Sequence, residues 1–304
     1  MGGGVVGASI RRELDPTMTG TRRLERRAGL LPFAQRTAID CSSSVSTVDR
    51  MGQHHLPCAT NFRDVGGYTN RHGDTVQRNR LYRSDSLTEL DDRGVILFRD
   101  LEVATVIDLR SDEERERFGV VDGGRLGVDV KVMPIIDELS GGLADAGPAD
   151  LGARYEEWLV ERGDRFGKVV RAIAIYGGDP LVVQCTAGKD RTGMVVALLL
   201  GLLDVEHDAI CRDYGLSAVG MRILQERFQS RMTGDELAAA SARQLFSADP
   251  TMMAATLDAL ERRFGDVATY LDSVGVDEPT RDLLRARYLC RVRSSTPAGA
   301  PQSY

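Results

Sequence analysis

Ten consecutive residues, Met194 to Leu203 (MVVALLLGLL), carry no polar side chain, and this run constrains the fold more than any other feature. A membrane-spanning helix needs about 20 such residues. Half that length predicts instead a helix buried inside protein on nearly every side. Val103 to Leu109 (VATVIDL), Val130 to Ile135 (VKVMPI) and Leu181 to Cys185 (LVVQC) are short β-rich runs without clean alternation, the pattern of strands covered on both faces. An amphipathic helix is expected from about Ala153 to Ile175, with Tyr155, Leu159, Phe166, Val169, Val170 and Ile173 apolar. Another is expected over 250 to 264, where Pro250 fits a first turn and Gly265 a cap. The turn signal Arg71-His72-Gly73-Asp74 predicts a hairpin within Tyr68 to Arg83. The fold class is therefore α/β: a short, mainly parallel central sheet flanked by helices, with a helical carboxyl-terminal part. The Gly/Ala/Asp/Pro-rich stretch 137 to 153 is placed to serve as a lid.

Composition narrows the function classes. Hydrophobic residues are 42% of 304, enough for a core and too many for a disordered protein. A net charge of −6 argues against non-specific attraction to nucleic acid or anionic lipid. No segment qualifies as an integral membrane span, and no pattern sets an oligomeric state. Five cysteines at 41, 58, 185, 211 and 290 form neither a disulfide framework nor a CxxC knuckle, which points to a reducing compartment. Residues 1 to 50 hold 8 Arg against 5 acids and no long apolar periodicity, so they are read as a poorly ordered arm. Met51 or Met18 is an alternative start. A domain over 51 to 292 and a frayed tail over 293 to 304 complete the division. No continuous apolar signal region follows the basic residues, so the cytoplasm, or secretion without a recognisable signal, is expected.

The strand Leu181 to Cys185 runs straight into Thr186-Ala187-Gly188-Lys189-Asp190-Arg191-Thr192-Gly193 and then into the buried helix. A strand, a tight loop and a helix start make a cradle for an anion, because successive backbone N–H groups point inward and the helix dipole adds positive potential. Arg191 offers a planar fork that can grip two phosphate oxygens. Cys185 stands at the opposite rim, where a helix N-terminus and cations can lower a thiol pKa from ~8.5 to ~3.5–7.5. That thiolate would be a nucleophile for phosphorus, and the Thr192 hydroxyl a donor to the sulfur when it leaves. A nucleotide-binding P-loop fits less well, since Asp190 stands where Ser/Thr is required and Val183 where the first Gly belongs. His54, His55 and Cys58 lack the spacing of a metal site, and no metal or other cofactor is expected. Cys211 and Cys290 fit core positions on helical stretches better than redox partners.

The spacing Cys-x5-Arg-[Ser/Thr] is that of cysteine-dependent phosphatases. Together with Asn61-Phe62-Arg63-Asp64-Val65-Gly66-Gly67, Leu81-Tyr82-Arg83-Ser84, Val106-Ile107-Asp108-Leu109-Arg110-Ser111 and Asp213-Tyr214, it resembles the bacterial branch of the tyrosine-phosphatase family with dual protein and lipid specificity. The resemblance covers roughly residues 57 to 290. It implies hydrolysis of phosphomonoesters through a phosphocysteine, on phosphotyrosine (and phosphoserine or phosphothreonine) proteins or phosphoinositides. Thr186, Ala187, Gly188, Lys189 and Gly193 would bind the phosphate alongside Arg191. The family's usual Trp-Pro-Asp acid loop is absent, because the only Trp, Trp158, precedes Leu159-Val160. The resemblance therefore implies an acid within the cradle, Asp190, with Asp137 second. Asp64 would orient Arg191 or line the pocket, and Arg63 would add a phosphate contact. Asp213-Tyr214 would pack beneath the loop, whereas Asp108 and Arg110 fit a structural ion pair as well as a pocket role. Gln184 departs from the family's His, which predicts weaker support for the thiolate. Only 3 of the 39 basic residues are Lys, which singles out Lys189: its ammonium at the rim would meet a second phosphate, or else only raise the loop's potential. A silent phosphate-binding pseudophosphatase and a loop-cysteine sulfurtransferase are the alternative readings.

Overall fold

The computed structural model of the protein describes residues 56–137, 151–229 and 245–291. The amino-terminal arm, most of the expected lid and the tail from 293 lie outside the described residues.

Four strands run parallel: β3 (Leu81–Ser84), β4 (Thr105–Asp108), β5 (Asp129–Val132) and β6 (Leu181–Gln184), with β1 (Arg63–Asp64) antiparallel on the β3 edge. The order β1-β3-β6-β4-β5 puts β6 in the middle. Its Val182 lies between Tyr82 and Val106, and its Gln184 between Ser84 and Asp108. Every residue of β3, β4 and β6 is buried, as the non-alternating sequences of β4 and β6 predict; β3, expected only within the hairpin region Tyr68 to Arg83, is a buried inner strand instead. The period of two sends successive side chains to opposite faces. Leu81, Ile107, Leu181 and Val183 enter one apolar cluster, and Tyr82, Val106 and Val182 the other. β5 differs from expectation: it pairs only with β4, and as an edge strand it leaves Val132 39% exposed.

On the thinner face lie α1 (Asp92–Asp100), capped by Asp91 accepting from Gly94 N at 2.7 Å, and α3 (Gly123–Leu126). The larger cluster holds α4 (Leu151–Glu161), α5 (Gly163–Tyr176) and α6 (Asp190–Leu202). The run Met194–Leu202 is buried apart from Gly201, as its sequence requires. The single helix expected over 153 to 175 is two helices. Arg162 leaves helical geometry between them (φ −116°, ψ 16°), and Gly163 admits Val274 so closely that a Cβ there would lie 2.8 Å from its side chain. Beyond α6 come α7 (His207–Gly215), α8 (Ser217–Gln229), α9 (Pro250–Phe264), α10 (Val267–Ser273) and α11 (Glu278–Tyr288). Pro250 opens α9 behind an Asp249 cap, and Gly265 ends it at φ 90°, both as predicted.

The expected hairpin forms over 67 to 76, closed by Gly67 N to Val76 O (2.8 Å) and Asn70 N to Asp74 O (2.8 Å). Its second arm, β2 (Thr75–Val76), pairs with the carboxyl-terminal β7 (Leu289–Cys290), so Cys290 sits in a strand rather than a helix. Cys211 is buried in α7. Arginines finish the helix α5: Arg287 donates to the carbonyls of Ala174 and Ile175, and Arg80 to those of Gly177 (3.1 Å) and Gly178 (2.6 Å). Orphan carbonyls at a helix end are thereby satisfied.

Candidate active site

The loop 185–190 joins the central strand β6 to the buried helix α6, so two buried elements carry it. Four of its carbonyls are drawn outward. Thr186 O accepts from Ser86 N (3.3 Å), and Ala187 O from Asn61 Nδ2 (2.9 Å). Arg83 Nη2 donates to Gly188 O (2.7 Å) and Lys189 O (3.3 Å). In a planar trans peptide the C=O and the following N–H point in opposite directions. The amides of Ala187, Gly188, Lys189 and Asp190 are consequently turned inward. The Gly188 amide is seen doing this: it donates to Cys185 Sγ at 3.2 Å. Gly188 has φ +65°, and a Cβ there would lie 2.4 Å from the Ser84–Asp85 backbone, so only glycine makes this turn without displacement.

Cys185 is 1% exposed, at the floor of the cradle. Arg191 is held end-on by Glu114 of α2 (Asp112–Phe118): Nη1 to Oε2 at 2.5 Å and Nη2 to Oε1 at 2.6 Å. Glu114 also accepts from Thr186 Oγ1 (2.5 Å) and from Ser111 N (3.0 Å), the latter within a capping box. Burial alone would raise the Glu114 carboxyl, but Arg191 and these hydrogen bonds outweigh it and hold the group down at about 2. Burial likewise pulls the Arg191 guanidinium down, and Glu114 and Cys185 reverse it, so Arg191 keeps its proton more firmly than usual. Because Glu114 occupies the Nη1/Nη2 edge, the Nε/Nη2 edge is the one left for an anion.

Asp190, at the first turn of α6, is partly exposed, and its Oδ1 accepts from Tyr155 OH. Thr192 is buried, and its hydroxyl has no hydrogen-bond partner among the described residues. Cys185, Thr186, Ala187, Gly188, Asp190, Arg191 and Thr192 are thus brought together as their spacing suggests.

Four other expected residues are placed elsewhere. Arg63 spends its guanidinium on Asp213, Asn61 and Ser217, with Nε 3.1 Å from Asp213 Oδ1, and no donor is left for a phosphate. Asp64 accepts from Gly66 N (2.8 Å) and Asn79 N (3.0 Å); it ties a turn together, and Glu114, not Asp64, orients Arg191. Gly193 gives its amide to Lys189 O (2.8 Å), and a Cβ there would lie 3.0 Å from the Tyr214 ring, so it serves packing. The Lys189 side chain is fully buried and does not reach the rim. The second acid candidate, Asp137, is exposed and clamped by Arg165 through two 2.6 Å bonds, which hold its carboxyl below the usual range. That is the reverse of what a proton donor needs.

Residues of the segments that carry the family resemblance also brace the loop from below and behind. Asp213 accepts from Arg63 and Arg83, and these two cations overcome its burial to keep it ionised. Arg83 in turn holds the loop carbonyls, so Asp213 does lie beneath the loop. Asp108 and Arg110 form a buried ion pair (2.8 Å) that reaches Ser86 Oγ (3.0 Å), the structural alternative. Gln184 precedes Cys185 on a pleated strand and therefore faces the other way. Its Oε1 accepts from Leu87 N at 2.9 Å, so it braces the neighbouring segment and does not address the thiol.

The strand–loop–helix arrangement at the carboxyl end of a mainly parallel sheet places the molecule in the α/β class. The chain belongs to the tyrosine phosphatase family, whose sequence model matches residues 54–290. It is similar to the triple specificity protein phosphatase PtpB of Mycobacterium tuberculosis, 28% identical over 280 residues, covering 77% of this chain and 98% of that one. A Cupriavidus necator protein named as a tyrosine-protein phosphatase is 30% identical over 253 residues, covering 78% of this chain and 89% of the relative. The solved TpbA of P. aeruginosa matches 67% of this chain and 94% of its own at 17% identity, with a TM-score of 0.30. Among the described residues no helix is long and apolar enough to cross a membrane, and no group of His, Cys, Asp and Glu is arranged to hold a metal.

Proposed function

We propose that the protein hydrolyses phosphomonoesters in two steps at Cys185, with phosphotyrosine proteins as the first substrate class. The observation that carries this reading is the ring of outward-held carbonyls, which leaves inward amides around a buried thiol with an arginine edge open beside it. In the first step the Cys185 thiolate attacks phosphorus, the P–O bond to the leaving group breaks, and Asp190 gives its proton to the leaving oxygen. In the second step water attacks phosphorus and loses a proton to Asp190. The P–S bond breaks, the Thr192 hydroxyl donates to the departing sulfur, and inorganic phosphate leaves. The inward amides and the Nε/Nη2 edge of Arg191 bind the three non-bridging oxygens, and their preorganisation stabilises charge in the transition state. No step needs a cofactor. Phosphoserine and phosphothreonine proteins and phosphoinositides follow from the family resemblance, without the rim lysine that would have favoured the lipids.

Cys185→Ser is expected to abolish phosphate release from a phosphotyrosine peptide while keeping affinity for the same peptide within about threefold, since the cradle and Arg191 remain. Retained hydrolysis refutes the nucleophile. Wild-type protein that binds the peptide but releases no phosphate between pH 5 and 8 is a pseudophosphatase, and consumption of thiosulfate would mark a sulfurtransferase.

A further inference from the structure

The acid of this site has no loop of its own to hold it, and the structure shows what does. The Lys189 side chain is 0% exposed. Its Nζ lies 2.8 Å from Leu245 O, 2.7 Å from Ser247 O and 3.2 Å from Asp190 Oδ1. The ammonium donates to the two carbonyls and stands at ion-pair distance from the carboxylate. From the other side, Tyr155 of α4 donates its hydroxyl to the same Asp190 Oδ1. Since that proton is committed, the 2.9 Å contact between the Tyr155 and Tyr214 hydroxyls has Tyr214 as donor, with the Met252 sulfur at 3.8 Å its weaker alternative acceptor. The Tyr155 ring is fixed against Trp158, with centroids 5.6 Å apart. A hydroxyl donor and an ammonium charge from separate elements thus converge on one oxygen of one carboxyl group.

We propose that Lys189 and Tyr155 are positioning residues that lock Asp190 through Oδ1, so that Oδ2 carries the proton delivered to the leaving oxygen. A proton on Oδ1 would face the Tyr155 hydroxyl donor and the Lys189 charge, whereas Oδ2 has no hydrogen-bond donor against it among the described residues. Lys189 also fastens the catalytic loop to the carbonyls of the 245–247 segment that leads into α9. This lysine therefore acts on the acid and the loop, and its charge is spent before any second phosphate arrives. The inference rests on Asp190 being the acid.

The test is steady-state kinetics on aryl phosphates whose phenols span a range of acidity. General-acid catalysis contributes roughly 10²–10⁴-fold, and misplacing the donor should forfeit part of it. Tyr155→Phe keeps the ring and is expected to lower kcat at least about tenfold on phenyl phosphate, less than about threefold on nitrophenyl phosphate, with KM unchanged on both. Lys189→Met is expected to show the same steepened leaving-group dependence and a lower melting temperature. If Lys189→Met does not fold, Tyr155→Phe decides alone. Asp190→Asn separates the two readings. Should it steepen the dependence while Tyr155→Phe leaves it at the wild-type slope, the positioning role is overturned and the acid stands. Should Asp190→Asn itself lose activity equally on both esters, the acid assignment falls and the positioning role with it. A Lys189→Met enzyme with intact kcat but a raised KM for a bisphosphorylated inositide would return the lysine to the substrate and overturn the proposal.

Discussion

Glu114 lies outside the cradle yet holds the Nη1/Nη2 edge of Arg191, and on the proposed mechanism a phosphate-gripping arginine is of use only when its other edge is fixed. Breaking a buried, hydrogen-bonded pair leaves the survivor uncompensated, typically at a cost of 3–5 kcal/mol. The pair also has a pH signature. The Glu114 carboxyl sits at about 2 against an ordinary 4.5, so its stabilisation is fully present above 4.5 and is lost as pH falls towards 2. The difference corresponds to about 3 kcal/mol. Glu114→Gln should therefore lower stability at pH 7, cut kcat/KM for aryl phosphates, and flatten the fall of the urea midpoint between pH 5 and 2. An unchanged acid slope would remove Glu114 from that account. The sequence shows Ser111-x-x-Glu114 as a capping signal, and nothing in it announces that the same carboxylate reaches 77 residues forward to Arg191. Cys185, Asp190, Arg191 and Thr192 were legible because one continuous loop carries them. Arg63 and Asp64 look equally functional on paper; Arg63 is claimed by Asp213 far along the chain, and Asp64 by the amides of Gly66 and Asn79.

At the scale of elements, β4, β6, α6 and α9 were readable because burial on both faces, an unbroken apolar run and end signals are all local properties. The break at Arg162 and the edge status of β5 were not, since each depends on what lies beside it: Val274 pressing on Gly163, and no strand beyond β5 among the described residues. Gln184 is a related case, in which pleat direction overrides adjacency to Cys185. The loop offers a direct test. Gly188→Ala adds a Cβ at φ +65° that lies 2.4 Å from the Ser84–Asp85 backbone, so the turn must open and the inward amides lose their alignment. Vanadate affinity should fall at least about tenfold, beyond the roughly 1 kcal/mol left-handed penalty alone. Gly73→Ala, at φ +85° with open space around it, should incur only that penalty and bind vanadate like wild type. Equal losses in both would show that the Gly188 contact is easily relieved.

The whole molecule is closed by the pairing of β2 with β7, which brings residues 75–76 against 289–290. The family match also ends at residue 290. A chain running from Met51 to Arg291 is expected to keep the melting temperature and activity of the full protein. One ending at Arg287 removes Tyr288, whose ring is buried and whose carbonyl accepts from Gln77 N at 2.7 Å, and should melt at least about 5 °C lower. A large loss on removing residues 1–50 would show that the arm docks on the domain. On the proposed mechanism, the amides turned toward Cys185 make an anion-binding well in a protein of net charge −6, with the sulfur 1% exposed at its floor. Such a well is a filter for electrophiles. Narrow, negatively charged alkylating agents such as iodoacetate are expected to modify Cys185 faster than bulky neutral maleimides do, so covalent inhibitors designed on this reading have to look like the substrate before they can react.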